Sequence, residues 1–181
     1  MTTVLFLSGS PSFSSKTEKL MRQIEEALQN KGVRTFFYSI TDVPPGDLVF
    51  ANFNSEAVAS IIKKVEAADV IVIGSPIYKA SATGVLKSLI DLLPERSFEG
   101  KTILPIATGG TLAHYLALDY SFTPVFQALG ATNILKSIFI LDNDLKRTEI
   151  GVEIASIEGK ERIAKAVAQL INKSVGVLHE S

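Results

Sequence analysis

The chain has 181 residues, a formal net charge of −1, no cysteine and 46% hydrophobic residues. That length suits one domain spanning residues 1–181 with a good-sized core, and the composition excludes global disorder. The near-neutral charge gives no electrostatic reason to expect nucleic acid or an anionic membrane. The lack of cysteine removes disulfides, thiolate zinc, iron–sulfur clusters and thiol nucleophiles together.

The apolar runs are strand-sized, too short to span a bilayer, and the N-terminus enters its first strand with no basic n-region or cleavage site. A soluble cytoplasmic protein is therefore expected. Val4, Leu5, Phe6 and Leu7 form a buried strand that stops at Ser8 and Gly9, and a loop rich in small hydroxyls follows: Ser10, Ser12, Ser14, Ser15 and Thr17. A helical pattern then begins at Lys19 and Leu20, continues through Ile24, Ala27 and Leu28, and closes at Gly32. A strand that ends in a loop opening a helix presents unpaired N–H groups and the positive end of the helix dipole, which suits a phosphate. Neither G-x-x-x-x-G-K-[ST] nor G-x-G-x-x-G is present. Taken alone, the loop reads equally well as an ordinary connection whose Ser14 or Ser15 caps the helix.

Residues 33–40 are rich in β-branched and aromatic types and read as a second strand. Pro44, Pro45 and Gly46 break it into an irregular connection carrying Phe50 and Phe53. A second helix starts near Ser55 with Val58, Ile61, Ile62 and Val65 on one face. Residues 69–75 form a continuous apolar strand of the kind buried on both sides of a parallel sheet. A loop with Pro76, Ile77, Tyr78 and Lys79 leads to a third helix over 84–93, closed by Pro94. A fourth strand over 102–107 ends in Thr108, Gly109, Gly110 and Thr111. A long helical pattern covers 112–129, a fifth strand 133–141, and a last helix 157–175; the polar stretch between 142 and 160 carries no readable role.

Five strands alternating with five helices make a doubly wound parallel α/β sheet, because right-handed crossovers lay helices on both faces. The expected strand order is the flavodoxin-like 2-1-3-4-5, which places a ligand site at the carboxyl ends of the strands around the first and third. Three unusual loops meet on that edge. The first suits a phosphate. The second pairs a stiffening proline with an aromatic and a cation that can wall a flat ring. The third has two glycines that let backbone N–H groups approach a ligand. A phosphate pocket beside a flat heterocycle wall describes FMN. His114 follows the glycines and reads as packing or capping more readily than as a catalyst; His179 lies in a tail. No Ser-His-Asp set, paired carboxylate or metal-ligand spacing stands out, which fits chemistry supplied by a cofactor.

The segments GSPSFSSKT, P-x-Y-K, G-x-L-K-x-L-x-D-L-L-P-E-R and A-T-G-G-T-x-A-H resemble the NADPH-dependent FMN reductases of the flavodoxin-like superfamily. Within it they resemble most the reductases of two-component alkanesulfonate monooxygenase systems. The resemblance covers residues 3–141. It implies FMN phosphate held by Ser8, Ser10, Ser15 and Thr17, and the isoalloxazine held by Pro76, Ile77, Tyr78 and Lys79 together with Thr108, Gly109, Gly110 and Thr111, with His114 counted among the cofactor-binding residues. Some relatives carry arginine where this chain has Ser12, so Lys16 is a candidate substitute. The resemblance also implies that Tyr120 sits in a π-helical insertion associated with oligomer contacts and with passing reduced flavin onward. Pro124 supports an irregularity there, since it cannot donate to the carbonyl of Tyr120.

The function so implied is hydride transfer from the nicotinamide of NADPH, or NADH, to flavin N5, with no side chain needed as acid or base. Reduced FMN would then pass to a flavin-dependent monooxygenase that cleaves alkanesulfonates. The rivals are an enzyme that retains FMN and reduces a quinone, azo dye or metal oxyanion, and a flavodoxin-type electron carrier, which the charge of −1 disfavours. A homo-oligomer, dimer or tetramer, is expected because Leu116, Leu118, Tyr120, Phe122, Val125 and Phe126 exceed one buried stripe.

Overall fold

The computed structural model describes residues 2–176 and, within the last helix, side chains to Asn172. His179 lies outside the described residues. The strands β1 (Thr3–Ser8), β2 (Arg34–Ser39), β3 (Val70–Pro76), β4 (Thr102–Gly109), β5 (Asn133–Ile134) and β6 (Ile138–Leu141) form one parallel sheet. Its order is β2-β1-β3-β4-β5, with β6 continuing the edge beside β4. The helices α1 (Lys16–Gln29), α2 (Pro45–Val49), α3 (Glu56–Ala67), α4 (Gly84–Asp91), α5 (Thr123–Ala128) and α6 (Ile157–Gly176) lie between and beyond the strands.

Strand period places alternate residues on opposite faces, and two apolar cores follow from it. Val4, Phe6, Val70, Val72, Leu104, Ile106, Ile138 and Ile140 pack with Leu20, Met21, Ile24 and Leu28 of α1 and Leu170 of α6. Leu5, Leu7, Ile71, Ile73, Ile103, Ala107 and Phe139 face the other way, toward Val58 and Ile61 of α3, Leu86 and Leu89 of α4, and Phe122 and Phe126. The central strands are buried on both faces, which is why they read as continuous apolar runs. Serine or threonine caps the helices that begin at the site: Ser15 accepts from the Glu18 N–H, Ser55 from Val58, and Thr83 from Leu86.

Several elements differ from the sequence reading. The fifth strand is broken in two. Leu135 N–H donates to the Ile103 carbonyl at 2.8 Å, so Ile103 faces this edge, and by alternation so does Pro105. Proline has no N–H to offer there, and the edge strand inserts one extra residue between Ile134, paired with Ile103, and Ile138, paired with Ile106. The stretch at Pro44 and Pro45 is more regular than expected, forming a 3-10 turn Ile40–Asp42 and then α2, with Pro45 at a first-turn position where its missing donor costs nothing. The third helix ends at Asp91, ahead of Pro94. The polar stretch after β6 folds into an antiparallel pair, β7 (Leu145–Arg147) and β8 (Val152–Ile154), anchored on α1 where Gln23 Nε2 donates to the Val152 carbonyl at 2.8 Å.

The fourth helical stretch carries the irregularity expected around Tyr120 and is not one continuous α-helix. A 3-10 turn Leu112–His114 precedes a π turn Leu118–Phe122, which passes into α5. The N–H groups of Asp119 and Tyr120 both donate to the Leu116 carbonyl at 3.0 Å, and Thr123 N–H reaches back five residues to Leu118. Pro124 lies one residue beyond, where an α-helix would need a donor. Leu118, Phe122 and Phe126 are buried across this turn, leaving Tyr120 outward and 79% exposed.

Candidate functional site

The carboxyl ends of β1, β3 and β4 bring three loops together, tied by buried hydroxyls. Thr17 Oγ1 and Thr108 Oγ1 are 2.7 Å apart and buried, joining the first turn of α1 to the end of β4. The Gly9 N–H donates to the Gly74 carbonyl at 2.7 Å, and the Thr83 hydroxyl donates to the Gly9 carbonyl. Thr83 N–H donates to Ser75 Oγ at 3.1 Å. A methyl on Gly9 would lie 2.7 Å from Leu86, so glycine there lets the first loop sit against α4.

In the first loop Ser8, Ser10, Ser15 and Thr17 are buried, whereas Ser12, Phe13 and Ser14 face solvent. The loop ends on the N-terminus of α1, whose first-turn N–H groups point outward for want of intrahelical partners. Ser15 accepts there as the cap, with its own proton available to donate. The Ser8 hydroxyl is committed elsewhere: it donates to Glu18 Oε2 at 3.1 Å, as the Ser39 hydroxyl does at 2.8 Å. Sequence reasoning missed Glu18, although an acidic residue three positions after a capping serine is itself a readable first-turn signal. Lys16 Nζ donates to the Asp142 carbonyl at 2.7 Å, which holds its cation over the edge of β6.

In the second loop Ile77 is buried and its N–H donates to the Thr108 carbonyl at 2.8 Å, while Tyr78 is half-exposed and Lys79 exposed. Tyr78 and Ser81 exchange backbone hydrogen bonds at 2.9 and 3.1 Å, closing a two-residue turn. Its central residues Lys79 and Ala80 have φ of 50° and 61°, the left-handed pair such a turn requires without the glycines that normally supply it. Ser81 Oγ is 2.6 Å from Ser121 Oγ, so this turn is fastened to the π turn that carries Tyr120.

In the third loop the two glycines differ in what surrounds their missing side chains. Gly109 is buried, and a Cβ there would sit 2.9 Å from Phe139 Cζ, so its missing side chain is replaced by protein. Gly110 is exposed and would place a Cβ in open space. His114 sits one 3-10 turn further on, and its buried Nδ1 finds no hydrogen-bond partner among the described residues. Among the described residues no cluster of histidine, cysteine, aspartate or glutamate could hold a metal ion, and no helix is long and apolar enough to cross a membrane.

The residues present fit a phosphorylated flat heterocycle: hydroxyl donors at a helix N-terminus, an open glycine edge, a half-exposed tyrosine and an orphaned imidazole nitrogen. A family model for NADPH-dependent FMN reductases matches residues 2–146. The chain is 41% identical over 142 residues to the FMN reductase (NADPH) of Escherichia coli, covering 78% of this chain and 74% of that protein. It is 37% identical over 178 residues to the FMN reductase (NADPH) of Pseudomonas putida, covering 97% and 86%. Among solved structures, the apo form of an NADH:FMN oxidoreductase matches with a TM-score of 0.84 at 28% identity, over 96% of this chain and 90% of that one.

Proposed function

The chain belongs to the NADPH-dependent FMN reductase family and is an NAD(P)H:FMN oxidoreductase, and from that premise we propose that flavin is its exchangeable substrate, reduced here and passed to a separate flavin-dependent monooxygenase. The observation that carries this reading is the π turn Leu118–Phe122, with Tyr120 exposed and Ser121 fastened to the Tyr78–Ser81 turn. Such turns interrupt a helix at some cost and concentrate where a protein uses the irregularity.

Ser10, Ser15, Thr17 and the first-turn N–H groups of α1 would hold the phosphate, with Ser8 and Lys16 bordering the loop while bonded to Glu18 and to the Asp142 carbonyl. Pro76, Ile77, Tyr78 and Lys79 would wall one side of the ring system, and Thr108, Gly109, Gly110, Thr111 and His114 would line its polar edge. Flavin held there would supply the ring that takes a hydride equivalent from the nicotinamide of NADPH or NADH. The chain itself binds and orients the reactants, and N–H groups of the Gly109–Gly110 loop stabilise negative charge at the polar edge of the ring. The exposed Leu112, Leu116 and Tyr120 support self-association to a dimer or tetramer. A sulfonate-cleaving monooxygenase is the partner this reading names.

Anaerobic turnover with NADPH against free FMN, beside the FMN dissociation constant of the purified protein, tests the proposal. Weak FMN binding and turnover that rises with added FMN are expected. A yellow protein that keeps its FMN and turns over only when a quinone or dye is supplied would replace it with the retained-flavin reading.

A further inference from the structure

Glu18 is the acidic residue in the first turn of α1, the turn whose N–H groups would receive a phosphate. Its carboxylate is well held. Oε2 accepts from two buried hydroxyls, Ser8 at 3.1 Å and Ser39 at 2.8 Å, which close the ends of the paired strands β1 and β2. Among the described residues Oε1 meets only the half-exposed Arg22, at a long 3.4 Å, and Arg22 is shared with Glu25 at 3.7 Å. The Glu18 side chain is 24% exposed, so water screens it only in part. Glu18 and Ser15 line one cleft of about 270 Å³ with Phe13, Lys19 and Arg22.

Two consequences follow for an incoming dianion. A carboxylate at this helix position already takes up the positive end of the dipole, the same field a phosphate would use. It also consumes the single proton of Ser8, which a phosphate oxygen would otherwise need as a donor. Of the nearby cations, Lys16 is directed to the Asp142 carbonyl and Arg22 is shared between Glu18 and Glu25, while Lys19 lines the same cleft.

We propose that Glu18 sets the FMN affinity of this chain by charge: it opposes the phosphate, narrows the preference for FMN over dephosphorylated riboflavin, and keeps the flavin exchangeable. The inference rests on the flavin reading above. Its test is the dissociation constants of FMN and riboflavin, read by flavin fluorescence, for the unsubstituted protein and Glu18→Gln. Glutamine keeps a carbonyl oxygen for a serine hydroxyl and removes the charge. FMN should bind roughly three- to tenfold more tightly to the variant, as expected for one like charge removed at short range in a partly screened site. Riboflavin affinity should not change, and the gain for FMN should shrink at about 0.5 M salt. Glu18→Ala, which frees the Ser8 proton, should move FMN in the same direction and decides the matter if the glutamine variant does not fold.

Unchanged or weaker FMN binding in the variants overturns the proposal, as does equal tightening of FMN and riboflavin; in both cases the reductase reading stands if the unsubstituted protein still reduces FMN. Failure of the unsubstituted protein to bind or reduce FMN overturns that reading and this inference with it.

Discussion

Gly109 and Gly110 are adjacent, yet alanine at the two positions should fail in different ways. At Gly109 the added methyl would lie 2.9 Å from Phe139 Cζ and 3.2 Å from Cε2, with Ile77 Cβ at 3.7 Å. The ring has little freedom to withdraw: Phe139 is 1% exposed and Tyr115 packs edge-on against it, centroids 5.8 Å apart. Overpacking of this kind costs about 1–3 kcal/mol, which for a chain of this size is roughly 3–10 °C in Tm. At Gly110 nothing lies within 4 Å of the added carbon and the backbone is not left-handed. Gly110→Ala should therefore stay within about 0.5 kcal/mol of the unsubstituted protein while losing FMN affinity several-fold, because the methyl would project into the open edge of the third loop. Urea unfolding and FMN fluorescence titration on both variants separate the effects. A Gly109→Ala protein that melts with the unsubstituted one, or a Gly110→Ala protein as destabilised as its neighbour, would refute the division of roles between packing and ligand approach.

Two further outcomes are expected. Thr108→Val leaves the Thr17 hydroxyl buried opposite a methyl instead of a hydroxyl 2.7 Å away, so it should destabilise by about 1–3 kcal/mol; the double change with Thr17→Val should recover part of that loss, and a strictly additive double variant would show that the two hydroxyls do not act as a pair. Ala80→Gly should stabilise by up to about 1 kcal/mol, since Ala80 holds a φ of 61° that glycine adopts without strain; thermal unfolding below that of the unsubstituted protein would show the turn to be held by something other than its backbone geometry.

Much of this molecule follows from local pattern. The continuous apolar runs at 4–7 and 70–73, separated by helical periodicity, dictate a sheet buried on both faces and hence a doubly wound parallel order, because no other layering covers both sides of such strands. Ser15 and Ser55 announce helix starts through chemistry confined to one turn. Pro124 signals a disrupted helix because its missing donor is a property of one residue. Other features depend on residues far apart in the chain. Pro105 breaks the edge strand only because the sheet turns its nitrogen toward that edge, and a sequence does not say which neighbour a strand residue faces. The three-residue strands β7 and β8 are too short to show a period, and their anchor on Gln23 of α1 joins residues far apart in the chain. The space a side chain at Gly109 would take is filled by Phe139, thirty residues away, a packing contact that the glycine itself does not announce. Glu18 reads as an ordinary first-turn acid until the fold brings Ser39 to it across β1 and β2. Strand period, caps and breakers are written in neighbouring residues, and the architecture follows from them. The hole a side chain fills and the hydroxyl a carboxylate holds are set by which strands and helices meet, and only the assembled chain decides that.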